Sequence, residues 1–267
     1  NDSVRQNLER YDISVYRQIL PNITTELIID EIHLLSNPGR AAKIIYDQMP
    51  GIKLIITGSS SLDIKNKTTE SLAGRKIDYH LYPLTLSEYL FQKGIENNLN
   101  YNILTYIFEG NSNEKIHPFD LKGILENILV YGLYPHVIDQ PNNSTYLKNF
   151  VDSIIFKDLI ELNTIENRLA ALNLLRLLAY QIGSLVNINE LSTRLGINSL
   201  TVKRYLNLFE QSYIIFPLKP FSKIGRDEIG KMSKYYFYDL GLRNALIENF
   251  NPVNSRQDLG HLFENFL

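Results

Sequence analysis

Cysteine is absent from this 267-residue chain, and other chemically telling features are scarce. Without cysteine there is no disulfide bond, no thiolate zinc site and no cysteine nucleophile. No apolar run reaches the roughly 18 residues that a membrane-spanning helix needs, and no signal peptide opens the chain. These absences favour a cytoplasmic protein without a membrane partner.

Strong net charge is also absent. The 27 basic and 29 acidic residues leave a formal net charge of −2. The whole molecule therefore has no field that would attract nucleic acid, and any such contact would need a local basic patch. The hydrophobic content of 44% is that of a globular protein with a sizeable buried core.

Two short apolar runs predict strands buried on both faces in the first third of the chain. They are Glu26–Ile29 and Lys53–Thr57, and apolar residues recur at helical spacing between them. Pro38 opens the helical stretch and Gly51 follows its end. A strand, a helix and a strand with short connections predict a right-handed parallel crossover.

Polar residues follow both predicted strands. Asp30 and Glu31 come after the first strand, and the second ends in Thr57-Gly58-Ser59-Ser60. Ligands bind beyond the carboxyl ends of parallel strands, so we expect these groups to lie side by side. An acid there can hold Mg²⁺ through water, and a second acid can polarise a water for attack on a γ-phosphate. A solvated strand end without a ligand is the alternative interpretation of the acids alone.

Four motifs, LIIDEIH, LIITGSSS, SLAGR and YPLTLSEYL, carry a resemblance to a known family. They resemble the prokaryotic AAA-type (P-loop) ATPases that have a C-terminal DUF4143 region. The resemblance implies that Asp30 is the Walker B acid, which holds magnesium through water, and that Glu31 is the catalytic base. It also implies a cofactor-binding sensor at Ser59 or Ser60, and Arg75 as a candidate trigger of hydrolysis. ATP and Mg²⁺ are the implied cofactors.

The phosphate-binding loop of that family, G-x-x-x-x-G-K-[ST], does not occur in residues 1–26. Gly225–Met232 matches most of the pattern, but Met232 replaces the hydroxyl that would bind magnesium. This segment leads into an aromatic, strand-like run, so we interpret it as a β-turn. The chain begins at Asn1 and stops within an amphipathic pattern. We therefore expect a protein truncated at both ends that neither binds nor hydrolyses ATP by itself.

The segment INELSTRLGINSLTVKRYLNLFEQSYII has the form of a helix-turn-helix. Glu190–Leu195 and Ser199–Gln211 are the predicted helices, and a basic candidate wing lies within Ile214–Tyr238. The combination predicts a winged helix. The residues that would meet double-stranded DNA are Ser199, Thr201, Lys203, Arg204, Asn207, Lys223 and Arg226. Winged helices also serve as scaffolds, so a protein partner or self-association is the alternative.

The C-terminal motifs KYYFYDLGLRNALI and RQDLGHLFENFL resemble the DUF4143 signature. In that family, a GHLFEN-type helix opens a module similar to PD-(D/E)xK nucleases, which would put Glu264 on its first helix. The other residues of such a site do not occur in this chain, so no nuclease site can be assembled. The segment Tyr131–Pro135 matches the family's GGxP position, with Tyr131 in place of the first glycine.

The predicted fold class is α/β followed by mostly α. We expect a partial P-loop parallel-sheet core without its phosphate loop in residues 1–84, and a helical connector or lid in residues 85–144. Residues 145–240 should form a helix and a winged-helix domain with a β wing. Residues 241–267 should begin the nuclease-like module.

The resemblance implies a fragment of an ATPase that couples ATP hydrolysis to its winged-helix and C-terminal modules, with DNA as a candidate partner. The alternative is a DNA-binding or protein-adaptor module whose ATPase half is vestigial. A nuclease effector is a third hypothesis, and it depends on residues outside this chain.

Overall fold

The computed structural model describes residues 2–21, 24–58, 74–94, 118–138, 144–153, 165–221 and 231–267. Four residues with predicted roles lie outside those ranges, namely Ser59, Ser60, Lys223 and Arg226. Most of the Gly225–Met232 segment lies outside them as well. The chain divides into two compact units, which are unit 1 (residues 1–80) and unit 2 (residues 81–267).

Unit 1 combines helices with a two-stranded parallel sheet. The strands pair in register, with Glu26 opposite Lys53 and Ile29 opposite Ile56. The described elements are α1 (Asp2–Leu8), α2 (Ile13–Ile19), β1 (Glu26–Ile29), a 3₁₀ helix (Ile32–Leu34), α3 (Pro38–Gln48) and β2 (Lys53–Ile56). The parallel crossover predicted from the sequence is therefore present.

Local sequence signals set both ends of α3. The side chain of Asn37 accepts a hydrogen bond from the backbone N–H of Arg40 at 3.0 Å, which caps the start of the helix. Pro38 occupies the first turn, where its missing N–H has no helical partner to lose. The chain then reaches β2 through Gly51, whose φ of +97° favours glycine.

The sheet of unit 1 is covered on one face. Four strand side chains pack with the helices on that face, and they are Leu27, Ile29, Leu54 and Ile56. On the opposite face Ile28 is 63% exposed and Ile55 is 36% exposed. The prediction of strands buried on both faces was therefore wrong for the described part of unit 1, because its helices lie on only one side of the pleat.

Unit 2 is mostly helical. Its described helices are α4 (Leu86–Gln92), α5 (Pro118–Tyr131), α6 (Pro135–Ile138), α7 (Ser144–Ser153), α8 (Arg168–Tyr180), α9 (Ile188–Leu195), α10 (Ser199–Gln211), α11 (Leu240–Leu246), a 3₁₀ helix (Val253–Ser255) and α12 (Leu259–Phe266). Two antiparallel strands, β3 (Ile215–Leu218) and β4 (Lys234–Phe237), follow α10. The mixed α/β class with a mostly helical second part agrees with the sequence. The four-part domain division stays a prediction.

Two of the helices in unit 2, α9 and α10, are joined by a tight turn at Gly196, whose φ is +64°. Asn187 and Asn198 cap the two helices, because each side chain accepts a hydrogen bond from a backbone N–H of the first turn. Three apolar side chains at helical spacing on α10 are buried, namely Val202, Leu206 and Phe209. The two predicted helices and the turn between them are therefore present, whereas the winged-helix domain stays a prediction.

The helix α11 lies at the centre of unit 2. All seven of its residues are buried, and it packs against α5, α7, α8 and α12. Arg243 is 1% exposed, and it donates to the carbonyl of Ala179 at 2.8 Å and to the carboxylate of Asp258 at 2.5 Å. Arg256 donates to the same carboxylate at 2.9 Å. Hydrogen bonds from Arg256 and Arg243 hold the pKa of Asp258 well below its usual range.

Asp239, the residue before α11, ties this helix to the end of α5. Its carboxylate accepts hydrogen bonds from the backbone N–H groups of Leu133 at 2.6 Å and Leu242 at 2.9 Å. Burial raises the pKa of Asp239 to about 6, against the opposing effect of these N–H groups. Gly132 lies against the carboxylate with a φ of +77°, and a Cβ there would come closer than 3.0 Å to both oxygens. Gly132 is therefore a close-packing position.

Candidate functional site

The predicted acid pair lies at the carboxyl end of β1. Glu31 has a φ of 52° and a ψ of 45°, in the left-handed region that residues with a Cβ occupy at an energetic cost. The 3₁₀ helix begins immediately afterwards at Ile32, which is 1% exposed. The backbone therefore turns sharply at Glu31, between the exposed Asp30 and a buried anchor.

Thr57 brings the end of β2 into contact with both acids. Its hydroxyl donates to Asp30 Oδ1 and accepts a hydrogen bond from the backbone N–H of Glu31 at 3.2 Å. Its carbonyl accepts from the backbone N–H of Ile32 at 3.0 Å, and its own N–H donates to the carbonyl of Ile29 at 3.0 Å. The expectation that the two polar strand ends lie side by side is therefore met at Thr57.

His33 is the nearest ring to the acid pair along the chain. Its Nδ1 lies 3.0 Å from Oε2 of Glu31, and the two form an ion pair when the imidazole is protonated. The His33 side chain is 13% exposed and that of Glu31 is 42% exposed. Across the described ranges, no three histidine, cysteine or acidic side chains come together as a metal-binding group. His33 is therefore a polar neighbour of Glu31.

A cavity of about 340 Å³ opens beside the acids within unit 1. Its wall is mostly apolar and comes from α1, α2, β1 and the 3₁₀ helix, and its charged members are Asp2, Arg5, Asp30 and Glu31. A cavity of this size is in the range of small-molecule sites. The sequence offered no motif for Asp2 or Arg5, because only the fold of α1 brings them to the acids.

The chemistry of this edge suits one half of a magnesium-nucleotide site. Mg²⁺ prefers oxygen ligands, keeps several waters, and is usually held by one or two carboxylates together with the phosphates of its substrate. Asp30 and Glu31 provide such carboxylates beside an open cavity. Bound Mg²⁺ would supply charge neutralisation to a transferring phosphoryl group.

Arg75 lies away from the acids. Its guanidinium donates to Asp47 Oδ1 at 2.7 Å and stands over the ring of Tyr46, 5.8 Å from the ring centre. Asp47 is near the end of α3, about 14 Å along the helix axis from Pro38 at the acid-proximal end. The structure therefore does not bring Arg75 together with Asp30 and Glu31, and its role as a trigger stays a prediction.

The predicted DNA-contacting residues of α10 lie on its outer side. Lys203, Arg204 and Asn207 are exposed, whereas Ser199 and Thr201 are half-buried. Arg204 forms an ion pair with Glu166 at 3.1 Å, and Arg194 of α9 pairs with Glu190 at 2.8 Å. Residues 187–211 contain three basic and two acidic residues. This face is therefore only weakly positive.

Glu264 of α12 is held by two side chains of β4. Its Oε1 accepts from Lys234 Nζ at 2.7 Å and from the Tyr236 hydroxyl at 2.6 Å. These hydrogen bonds, with that of Lys234 the strongest, lower the pKa of Glu264. The geometry gives Glu264 a structural role, since it fastens α12 to the sheet of unit 2.

Thr57 is the residue of the site that sequence reasoning undervalued. The family resemblance implies a sensor hydroxyl at Ser59 or Ser60, although Thr57 is the first residue after β2. The register was the missing signal, because pairing Ile29 with Ile56 puts Thr57 opposite Asp30. A strand-end hydroxyl in register with a strand-end acid is a pattern that could have identified it.

Comparison with known protein families bears on both units. Residues 1–90 match the AAA domain family. This match supports a nucleotide-binding, P-loop AAA-type domain in the part of the chain that contains Asp30, Glu31 and Thr57. Residues 122–253 match a domain of unknown function, DUF8612. The motifs in residues 234–267 resemble a DUF4143 signature, but the comparison supports DUF8612 instead.

Curated relatives match most of this chain but are uncharacterized proteins. One from Haemophilus influenzae is 25% identical over 82% of this chain and 52% of its own length. Two from Methanocaldococcus jannaschii are 26% and 24% identical over 91% and 99% of this chain, and over 52% and 56% of their own lengths. The chain thus spans about half the length of the curated relatives it matches.

A membrane-spanning role was not expected from the sequence. In the part of the chain that the structure describes, no helix combines the length and the apolar character needed to cross a membrane.

Proposed function

We propose that unit 1 contributes the magnesium- and water-binding edge of an ATP-hydrolysing AAA-type site. The observation that supports this most is the triad of Asp30, Glu31 and Thr57, which stands at the carboxyl edge of a parallel strand pair. Ligands of parallel sheets bind at this edge. The match of residues 1–90 to the AAA domain family is the reason for proposing a nucleotide as the ligand.

Each acid has its own task in this proposal. Asp30 holds the water shell of Mg²⁺, and its Oδ1 is oriented by the hydroxyl of Thr57. Glu31 accepts a proton from the water that attacks the γ-phosphate, and its neighbour His33 lies 3.0 Å from the carboxylate. Ser59 or Ser60 would contact the phosphate, and Arg75 would need to leave Asp47 to reach it.

The residues that cradle the phosphates belong, in this proposal, to another part of the polypeptide. The motif G-x-x-x-x-G-K-[ST] does not occur in this chain, and the curated relatives are about twice its length. We therefore expect residues 1–267 alone to bind no ATP at micromolar concentration.

The test compares residues 1–267 with the complete gene product. Each is titrated with a fluorescent ATP analogue in the presence of Mg²⁺, and Asp30→Asn is the matched variant in both. We expect micromolar, Mg²⁺-dependent binding by the complete product, weakened in the variant, and none by residues 1–267. Micromolar binding by residues 1–267 would refute the division of the site, and absence of binding by both proteins would refute the nucleotide site.

A second function, DNA binding or protein adaptation with a vestigial ATPase half, is favoured by the geometry of α9 and α10. The two helices and the antiparallel β3–β4 pair have the order of a winged helix, and Lys203 and Asn207 are exposed on α10. The weak charge of this face and the Arg204–Glu166 ion pair count against strong phosphate contacts.

Duplex binding measured at several salt concentrations distinguishes the two versions of this second function. DNA contact predicts an affinity that falls with salt and falls further in Lys203→Ala, whereas Lys148→Ala in α7 serves as a control with the same charge change. Absence of duplex binding at low salt would leave a protein partner or self-association. A nuclease module would require residues beyond those in this chain.

A further inference from the structure

The side chain of Thr57 contacts both the side chain of Asp30 and the backbone of Glu31. We infer that Thr57 is the positioning residue of the acid pair, an inference that rests on the ATPase function proposed above. It acts through Asp30 and Glu31, and it is distinct from the phosphate-contacting hydroxyl expected at Ser59 or Ser60.

The hydroxyl of Thr57 forms a hydrogen bond with each of the two acids. A hydroxyl has one hydrogen to donate, and here that hydrogen goes to Asp30 Oδ1. One of its lone pairs accepts the backbone N–H of Glu31 at 3.2 Å. The hydroxyl therefore has no second hydrogen for a phosphate oxygen, and one oxygen of Asp30 is held in place while the other stays available to a metal-bound water.

The backbone on either side fixes the position of this hydroxyl. The N–H of Thr57 donates to Ile29 and its carbonyl accepts from Ile32, each at 3.0 Å, so Thr57 bridges the residues on both sides of the acid pair. Threonine is branched at Cβ and has few accessible χ1 rotamers, which limits where its oxygen can point. The strand register and the χ1 rotamer of Thr57 together determine where its hydroxyl lies relative to Asp30 and Glu31.

Thr57 also supports the unusual backbone of Glu31. A left-handed conformation at a residue with a Cβ persists only where surrounding contacts maintain it. For Glu31 these contacts are the bond from its N–H to the Thr57 hydroxyl and the bond from Ile32 to the Thr57 carbonyl. Removal of the Thr57 hydroxyl takes away the bond to the N–H of Glu31 and leaves the bond to the N–H of Ile32. Hydrogen exchange at Ile32 is therefore an internal control for exchange at Glu31.

The first test uses residues 1–267 and needs no nucleotide. Thr57→Val removes the hydroxyl at nearly constant volume, and Thr57→Ser retains it. In Thr57→Val, amide hydrogen exchange at Glu31 should rise by about tenfold while exchange at Ile32 changes little. Thr57→Ser should keep the parent rates. Thr25→Val, at the opposite end of the strand pair, is the matched control, and unchanged exchange at Glu31 in Thr57→Val would overturn the inference.

The second test measures ATP turnover by the complete gene product. Thr57→Val should lower kcat by about 10- to 100-fold, with the KM for ATP within about threefold of the parent. Thr57→Ser should recover most of kcat, and Thr25→Val should match the parent. If kcat of Thr57→Val equalled that of the parent, the positioning role would be overturned, even if amide hydrogen exchange at Glu31 changed. If the parent itself hydrolyses no ATP, the proposed function fails, and the exchange experiment still decides whether Thr57 holds the acid pair.

Discussion

Gly132→Ala is the substitution for which the structure predicts the clearest effect in unit 2. Gly132 has a φ of +77°, and a Cβ at this position would come closer than 3.0 Å to both carboxylate oxygens of Asp239. The carboxylate cannot simply move aside, because Asp239 is only 3% exposed and its carboxylate accepts hydrogen bonds from the backbone N–H groups of Leu133 and Leu242.

The expected cost has two parts. The left-handed conformation of an alanine costs about 1 kcal/mol. Displacement of the Asp239 carboxylate would leave two N–H groups without their acceptor, the part-buried one of Leu133 and the buried one of Leu242, at about 1 to 2 kcal/mol each. Gly132→Ala should therefore lower the free energy of unfolding by about 3 to 5 kcal/mol.

Gly196→Ala is the matched control. Gly196 has a φ of +64° and open space where its Cβ would be, so this variant has the conformational cost alone, about 1 kcal/mol. Urea unfolding followed by far-UV circular dichroism measures both variants. With an m value of about 2 kcal/mol/M, the midpoint should fall by about 1.5 to 2.5 M for Gly132→Ala and by about 0.5 M for Gly196→Ala.

A double-mutant cycle isolates the contact itself. In an Asp239→Ala background the clash no longer exists, so Gly132→Ala should cost only about as much as Gly196→Ala. Equal midpoints for the two single variants in the parent background would refute the close packing of Gly132 on Asp239. Full additivity in the cycle would also refute it.

Three further perturbations follow from single contacts. Burial raises the pKa of Asp239 to about 6, so the stabilising contribution of Asp239 is present below about pH 4 and is lost as the pH rises through about 6. In urea unfolding, the difference in stability between the parent and Asp239→Asn should therefore shrink between about pH 4 and about pH 6. A difference that stays constant over this range would contradict the burial effect. Asp258→Ala leaves Arg243 and Arg256 without their shared carboxylate and should lower the unfolding free energy by about 3 to 5 kcal/mol in the same assay, whereas a loss below about 1 kcal/mol would contradict the network. Glu31→Gly removes the left-handed cost and should stabilise unit 1 by up to about 1 kcal/mol in thermal unfolding, and a clear loss of stability would contradict that cost.

Much of the local structure could be predicted because its signals lie close together in the sequence. The strands β1 and β2 are short apolar runs, and Pro38 and Gly51 mark the limits of the helix between them. Thr85 and Glu88, three positions apart, form a capping box at the start of α4. Each of these features depends on residues only a few positions apart, so backbone geometry alone decides them.

Contacts between distant residues could not be predicted in the same way. Asp239 accepts from Leu133, which is 106 positions earlier in the chain, and no periodic pattern in the sequence connects the two. Arg75 resembled a trigger residue by its motif, but its long side chain reaches Asp47 on α3. The contacts of Thr57 depend on the pairing register of β1 and β2. The apolar runs in the sequence determine that register only to within about one or two residues.

The helix expected at the start of residues 145–240 shows a third situation. Apolar residues recur at helical spacing from Thr145 to Leu162, which predicts a helix over that range. The structure describes α7 as Ser144–Ser153, and residues 154–164 lie outside the described ranges. The beginning of the helix therefore agrees with its amphipathic pattern, and the remainder of the prediction stays untested.

The central claim is that Asp30 and Glu31 form the magnesium and water edge of an ATPase site. Its most direct test is ATP turnover by the complete gene product and its Glu31→Gln variant, with binding of a fluorescent ATP analogue measured in parallel. Loss of a general base predicts a fall in kcat of about 10²- to 10⁴-fold, with nucleotide affinity nearly unchanged because the amide preserves the shape of the side chain. Turnover by Glu31→Gln at the parent rate would contradict the claim.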